Sequence, residues 1–90
     1  MSWTVRFSGT AEKYYKKLDS NLRKRISDSL KALSALENPL THPQVRPLVG
    51  KLKGFYRLRI GKHRVIFSLL EETKTIAVVN VYPRGEAYKG

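Results

Sequence analysis

GFYRLRIGKHRVIF, residues 54–67, is the stretch that decides the fold. At its centre Gly61-Lys62 is a two-residue turn with glycine in the first central place, as type I′ and II′ hairpin turns require. With these two residues turning, Ile60 pairs with His63, Arg59 with Arg64, Leu58 with Val65 and Arg57 with Ile66. Side chains alternate between the two faces of a strand. Tyr56, Leu58, Ile60, Val65, Phe67 and Leu69 therefore share one face, which is apolar and belongs against a core. Phe55, Arg57, Arg59, Arg64, Ile66 and Ser68 share the other. Three guanidinium groups lie side by side there, with Arg59 directly opposite Arg64. Like charges so placed weaken a sheet by about 0.2–1 kcal/mol, and a feature that works against folding points to binding. Exposed arginines can also serve only to keep an open face soluble. The lack of any Glu or Asp among their strand neighbours weakens that reading.

Outward from the hairpin, Thr75–Tyr82 is a third strand, reached through a turn at Glu71–Lys74. Upstream, Asn38–Gly50 holds Pro39, Pro43, Pro47 and Gly50 and reads as a loop, or at most a strand edge. Ahead of it lie two amphipathic helical stripes. Ala11, Tyr14, Tyr15 and Leu18 form the first. Leu22, Ile26, Leu30 and Leu33 form the second, which runs to about Leu36 before Pro39 ends it. Ser8 or Thr10 can cap the first helix, and Asp19-Ser20-Asn21 breaks the pair and offers a second cap. Ser2–Ser8 alternates, with Trp3, Val5 and Phe7 facing one way, as in a half-buried strand. The order β-α-α-β-β-β predicts an α+β domain spanning residues 1–90. It has an N-terminal strand, a two-helix hairpin and a three-stranded antiparallel meander, forming a small antiparallel sheet with both helices on one face.

The chain of 90 residues carries 18 Lys and Arg against 7 Asp and Glu, a net charge of +11. Its apolar content, 41%, suffices for a small core and argues against disorder. With no cysteine, disulfide scaffolds and Cys-ligated zinc or iron–sulfur sites are excluded. There is no apolar run of membrane-spanning length and no signal-peptide layout, so a soluble, cytoplasmic protein is expected. The charge is unevenly spread. Lys13, Lys16, Lys17, Lys24 and Lys31 are interleaved with acids and read as solvated helix faces. From Asn38 to Leu70 there is no acid, while Arg46, Lys51, Lys53, Arg57, Arg59, Lys62 and Arg64 all fall there. That block suits a polyanion, and arginine's planar fork suits phosphate in particular. Arg84, between Pro83 and Gly85, and Tyr88 would add a cation and an aromatic platform for a base beside it. His42 is read as a loop residue and His63 as a turn-capping or half-buried one. Trp3, Tyr14 and Tyr15 are read as core or interface aromatics.

The same residues resemble the RelE/ParE superfamily of toxins from type II toxin–antitoxin systems, in particular its RelE-like branch. The pattern is Leu52-Lys53-Gly54, then Tyr-Arg-x-Arg-x-Gly-x-x-Arg with an aliphatic–aromatic tail. The likeness runs from the Phe7 strand to Tyr82-Pro83-Arg84-Gly85-Glu86-Ala87-Tyr88. It implies a ribosome-dependent endoribonuclease that cuts mRNA in the A site by attack of the 2′-hydroxyl on the adjacent phosphate, inhibiting translation. It implies Arg57, Arg59, Arg64, Arg84 and Tyr88 as catalytic residues and no metal or organic cofactor. Lys51, Lys53, Lys62 and Arg46 are expected to bind RNA around them. Arg59 and Arg64 would hold the phosphate, Arg84 would act at the leaving oxygen, and Tyr88 would stack on or orient the substrate. Arginine stands here where the best-known RelE branch carries lysine, and it is a poor general base. The base is therefore left open.

The resemblance also implies partners: an acidic, RelB-like cognate antitoxin covering the basic face, the ribosome and its mRNA, and operator DNA through the antitoxin complex. A membrane is not among them. The superfamily also contains non-catalytic, ParE-like inhibitors of DNA gyrase on the same scaffold, which is the alternative. A toxin kept only as a partner for its antitoxin, or a plain nucleic-acid binder, is a third reading.

Overall fold

The hairpin forms in the register the turn dictates. In the computed structural model, which describes residues 3–82, Ile60 pairs with His63, Arg59 with Arg64, Leu58 with Val65 and Arg57 with Ile66. Gly61 takes φ 60° while Lys62 stays out of the left-handed region, the sign pattern of a type II′ turn. The elements run β1 (Thr4–Phe7), α1 (Gly9–Lys17), α2 (Ser20–Ala35), β2 (Val45–Pro47), β3 (Tyr56–Ile60), β4 (His63–Leu70) and β5 (Thr75–Tyr82). Together the five strands make one sheet in the order β1-β5-β4-β3-β2.

One feature departs from the antiparallel sheet expected, and the choice between loop and strand edge for the proline-rich segment is decided. β1 pairs with β5 in parallel, Val5 facing Ile76, so the sheet is mixed. The helices separate β1 from the rest of the sheet in sequence, and only such a crossover lets two strands run the same way. The proline-rich loop also contributes an edge strand, β2, antiparallel to β3 with Val45 opposite Leu58. Pro47 cannot donate to a ladder and is tolerated because β2 has a neighbour on one side only.

Both helices begin at side-chain caps. Ser8 Oγ accepts from the Ala11 amide at 3.1 Å, and Asp19 Oδ1 accepts from that of Leu22 at 2.8 Å. The inner face of the sheet and the helices bury Ile26, Leu30, Leu33, Leu58, Val65, Phe67, Ile76 and Val78. Trp3 joins them and donates its Nε1–H to the Glu37 carbonyl at 3.1 Å. Tyr15 packs its ring 5.1 Å from that of Phe7. Tyr14, expected in the same stripe, is 49% exposed and stays out of the core. The helical lysines are exposed as expected, and Lys16 and Lys24 pair with Glu12 and Asp28 one turn away. None of the described helices is long and apolar enough to cross a membrane.

Candidate functional site

The outer face of the sheet collects the arginines. β2 stands beside β3 with Arg46 directly opposite Arg57, one row along from the Arg59–Arg64 pair. The edge strand thus turns a patch of three guanidinium groups into one of four, in two cross-strand pairs of like charge. On β4, Ile66 shares this face, and at 3% exposure it is buried without belonging to the main core. All four side chains are planar, delocalised cations.

These side chains lean on backbone carbonyls at the sheet's rim. Arg46 Nη1 donates to the Pro43 and Val45 carbonyls at 3.0 and 2.9 Å. Arg64 Nη1 donates to that of Lys62 at 3.2 Å. Two longer bonds, both 3.5 Å, run from Arg59 Nε to Gly61 and from Arg57 Nη1 to Gln44. The acceptors in these bonds are neutral carbonyls. Arg64 Nε is buried and has no hydrogen-bond partner among the described residues. A buried donor without an acceptor costs about 1–3 kcal/mol. An anion on this face would supply the missing acceptor once the guanidinium turned toward it.

The lysines divide. Lys62 sits in the Gly61-Lys62 turn, next to the Arg59–Arg64 pair. Lys51 and Lys53 are exposed in the loop before β3, at the strand's other end, a separation of roughly 16 Å at the rise of a strand. Arg84 and Tyr88 lie outside the described residues. β5 nevertheless ends at Tyr82, the register partner of Arg64, so the chain leaves the described region beside the pair. His42 serves its loop, with Nδ1 accepting from the Gln44 amide at 3.0 Å. His63 is half-buried at the start of β4. Among the described residues, no group of three or more His, Asp or Glu side chains is placed to hold a metal ion.

Two residues of this face escape a reading by alternation, Asn80 and Tyr82. β4 and β5 slip by one residue between Ile66 and Phe67: Phe67 faces Val78, but Ile66 faces Asn80. Val79 is the extra residue, a β-bulge. Beyond it the faces exchange. Val81 turns into the core at 2% exposure, and Asn80 and Tyr82 turn out among the arginines. Ser8, far away in sequence, holds the bulge: its amide donates to the Val78 carbonyl at 2.8 Å and its hydroxyl to that of Val79 at 3.1 Å.

The comparisons with known proteins bear on the family and the fold. Residues 5–88 match a family model described as the ParE toxin of type II toxin–antitoxin systems, parDE. A search of curated protein sequences gives no match. Among solved structures, the RelBE2 toxin–antitoxin complex from Mycobacterium tuberculosis is similar, with 25% identity, 93% of this chain and 100% of that chain covered, and a TM-score of 0.78. The archaeal RelE–RelB complex from Pyrococcus horikoshii has 27% identity, covers 97% and 100%, and scores 0.76. The isolated E. coli RelE toxin, at 20% identity with 98% and 89% covered and a TM-score of 0.70, shares the fold.

Proposed function

The chain belongs to the ParE toxin family of type II toxin–antitoxin systems, and from that premise we propose that this toxin is a ribosome-dependent endoribonuclease acting on mRNA in the cytoplasm. The observation that carries this reading is the outer sheet face, where Arg46, Arg57, Arg59 and Arg64 stand in two opposed pairs. Four guanidinium groups on one sheet face are an electrostatic host for a phosphodiester backbone.

In the reaction the 2′-oxygen bonds to the adjacent phosphorus as the bond from phosphorus to the 5′-oxygen breaks. The 2′-hydroxyl proton is lost and a proton is gained by the departing oxygen, leaving a 2′,3′-cyclic phosphate and a 5′-hydroxyl. Arg59 and Arg64 grip the phosphate and stabilise the charge that builds on the phosphorane, where fixed donors contribute most. Arg84 acts at the leaving oxygen, and Tyr88 stacks on or orients the substrate. Arg57 supplies charge and leaves base catalysis to another group. Arg46, Lys51, Lys53 and Lys62 extend the grip along the strand. Such a sparse acid–base set depends on the ribosome to present the mRNA in a reactive geometry.

The similarity to RelE–RelB and RelBE complexes supports an antitoxin as partner. An acidic antitoxin laid over the outer face would neutralise the arginines and exclude RNA at once, and operator DNA would be met through that complex. A second reading, non-catalytic inhibition of DNA gyrase, is favoured by the description of the matching family model. Primer extension on an mRNA, with and without programmed ribosomes, tests both. Cuts inside the A-site codon that need the ribosome and vanish in the Arg64→Ala/Arg84→Ala double variant are expected. Intact mRNA in every lane, with a loss of supercoiling in a gyrase assay, would select the second reading.

A further inference from the structure

The bulge places a tyrosine where the endoribonuclease reading has no assigned residue. Tyr82 is the register partner of Arg64, which is itself paired with Arg59. A phosphate held by those two arginines would therefore have the Tyr82 side chain on its flank, within the span of one nucleotide. Tyr82 is held by its neighbour. The Asn80 side-chain oxygen accepts from the Val81 amide at 2.9 Å, which fixes the orientation of the carboxamide. The Asn80 Nδ2 then donates to the Tyr82 Oη at 3.1 Å. Asn80 and Tyr82 are both half-buried, and the bulge anchored by Ser8 keeps them on this face. A phenol held at a set distance from a phosphate clamp is a device for reading what stands beside a phosphate. In RNA that is the ribose 2′-hydroxyl, the group by which a protein tells RNA from DNA at a given site.

We propose that Tyr82 is a substrate-contacting residue that recognises the 2′-hydroxyl of the nucleotide whose phosphate Arg59 and Arg64 hold, with Asn80 as its positioning residue. The proposal rests on the endoribonuclease reading for its choice of substrate, yet it can be tested without cleavage. One hydrogen bond to the 2′-hydroxyl amounts to about a fivefold preference for RNA.

The test is fluorescence anisotropy with the full 90-residue chain and a labelled, uridine-free RNA oligonucleotide, against the DNA of the same sequence. Wild-type protein should bind the RNA about fivefold more tightly. Tyr82→Phe keeps the ring and should bring the ratio close to one, through weaker binding of the RNA. Asn80→Ala should give an intermediate ratio, whereas Arg64→Ala should weaken both ligands alike and preserve the ratio. A wild-type ratio near one, or a ratio that Tyr82→Phe leaves intact, overturns the proposal. Failure of the endoribonuclease reading shows separately, as uncut mRNA on programmed ribosomes with the wild-type chain, whatever the ratio.

Discussion

The two faces of the sheet are made by the same strands, residue alternating with residue, and they answer to opposite demands. On the inner face Leu58, Val65, Phe67, Ile76 and Val78 are fully buried, and each gains from losing water. On the outer face Arg46 stands opposite Arg57 and Arg59 opposite Arg64, and each pair repels its partner. Arg64 adds a buried Nε with no acceptor among the described residues. Stability in this small chain is concentrated on one side of a single layer of strands, and the other side is left to chemistry that folding alone would disfavour. Substitutions on the two faces should accordingly move different observables.

Phe67→Ala should do the most harm to stability. The side chain is wholly buried at the centre of the sheet, and its loss should cost about 3–5 kcal/mol in urea unfolding, with loss of toxicity only as a result. Arg64→Ala should not lower the unfolding midpoint, and relief of the repulsion from Arg59 should raise it slightly. It should nevertheless slow ribosome-dependent cleavage about 10²–10³-fold, the effect typical of removing one donor to a developing oxyanion. A matching loss of stability would erase the distinction between the faces.

Ser8→Ala probes the link between them, since one hydroxyl caps α1 and holds the Val79 carbonyl. A loss of about 1–2 kcal/mol is expected. The preference for RNA over DNA should shrink with it as the bulge that presents Tyr82 loosens, and a preference that stays whole would uncouple bulge from site. The smallest effect should come from Arg59→Thr. Relieving the repulsion with Arg64 should raise stability by about 0.2–1 kcal/mol, measured by thermal melting at low salt, and the gain should fade as salt screens the pair.

What could be read in advance divides along physical lines. Gly61-Lys62 is a local signal, because a two-residue turn sets the register of everything on either side of it. The inner face and the Arg57, Arg59 and Arg64 row followed from it. β2 was legible only as the alternative to a loop, because Pro43 and Pro47 exclude a central strand and leave an edge position open. That strand is what brings Arg46 into the patch. The parallel pairing of β1 depends on how the helices return the chain, which no local pattern encodes. The bulge at Val79 was beyond reach for a related reason: its anchor, Ser8, comes from the other end of the molecule. Strict alternation along β5 points Asn80 and Tyr82 into the core. The lysines were grouped by composition alone, and the fold separates Lys51 and Lys53 from Lys62 by the length of β3. Arg84 and Tyr88 fall outside the described residues.

The division of labour between the faces is tested most directly by an Arg57→Ala/Arg59→Ala/Arg64→Ala triple variant, followed in parallel by urea unfolding and by growth arrest on induction. The account predicts a protein at least as stable as the wild type that no longer arrests growth. A variant that unfolds, or one that folds and remains fully toxic, would contradict it.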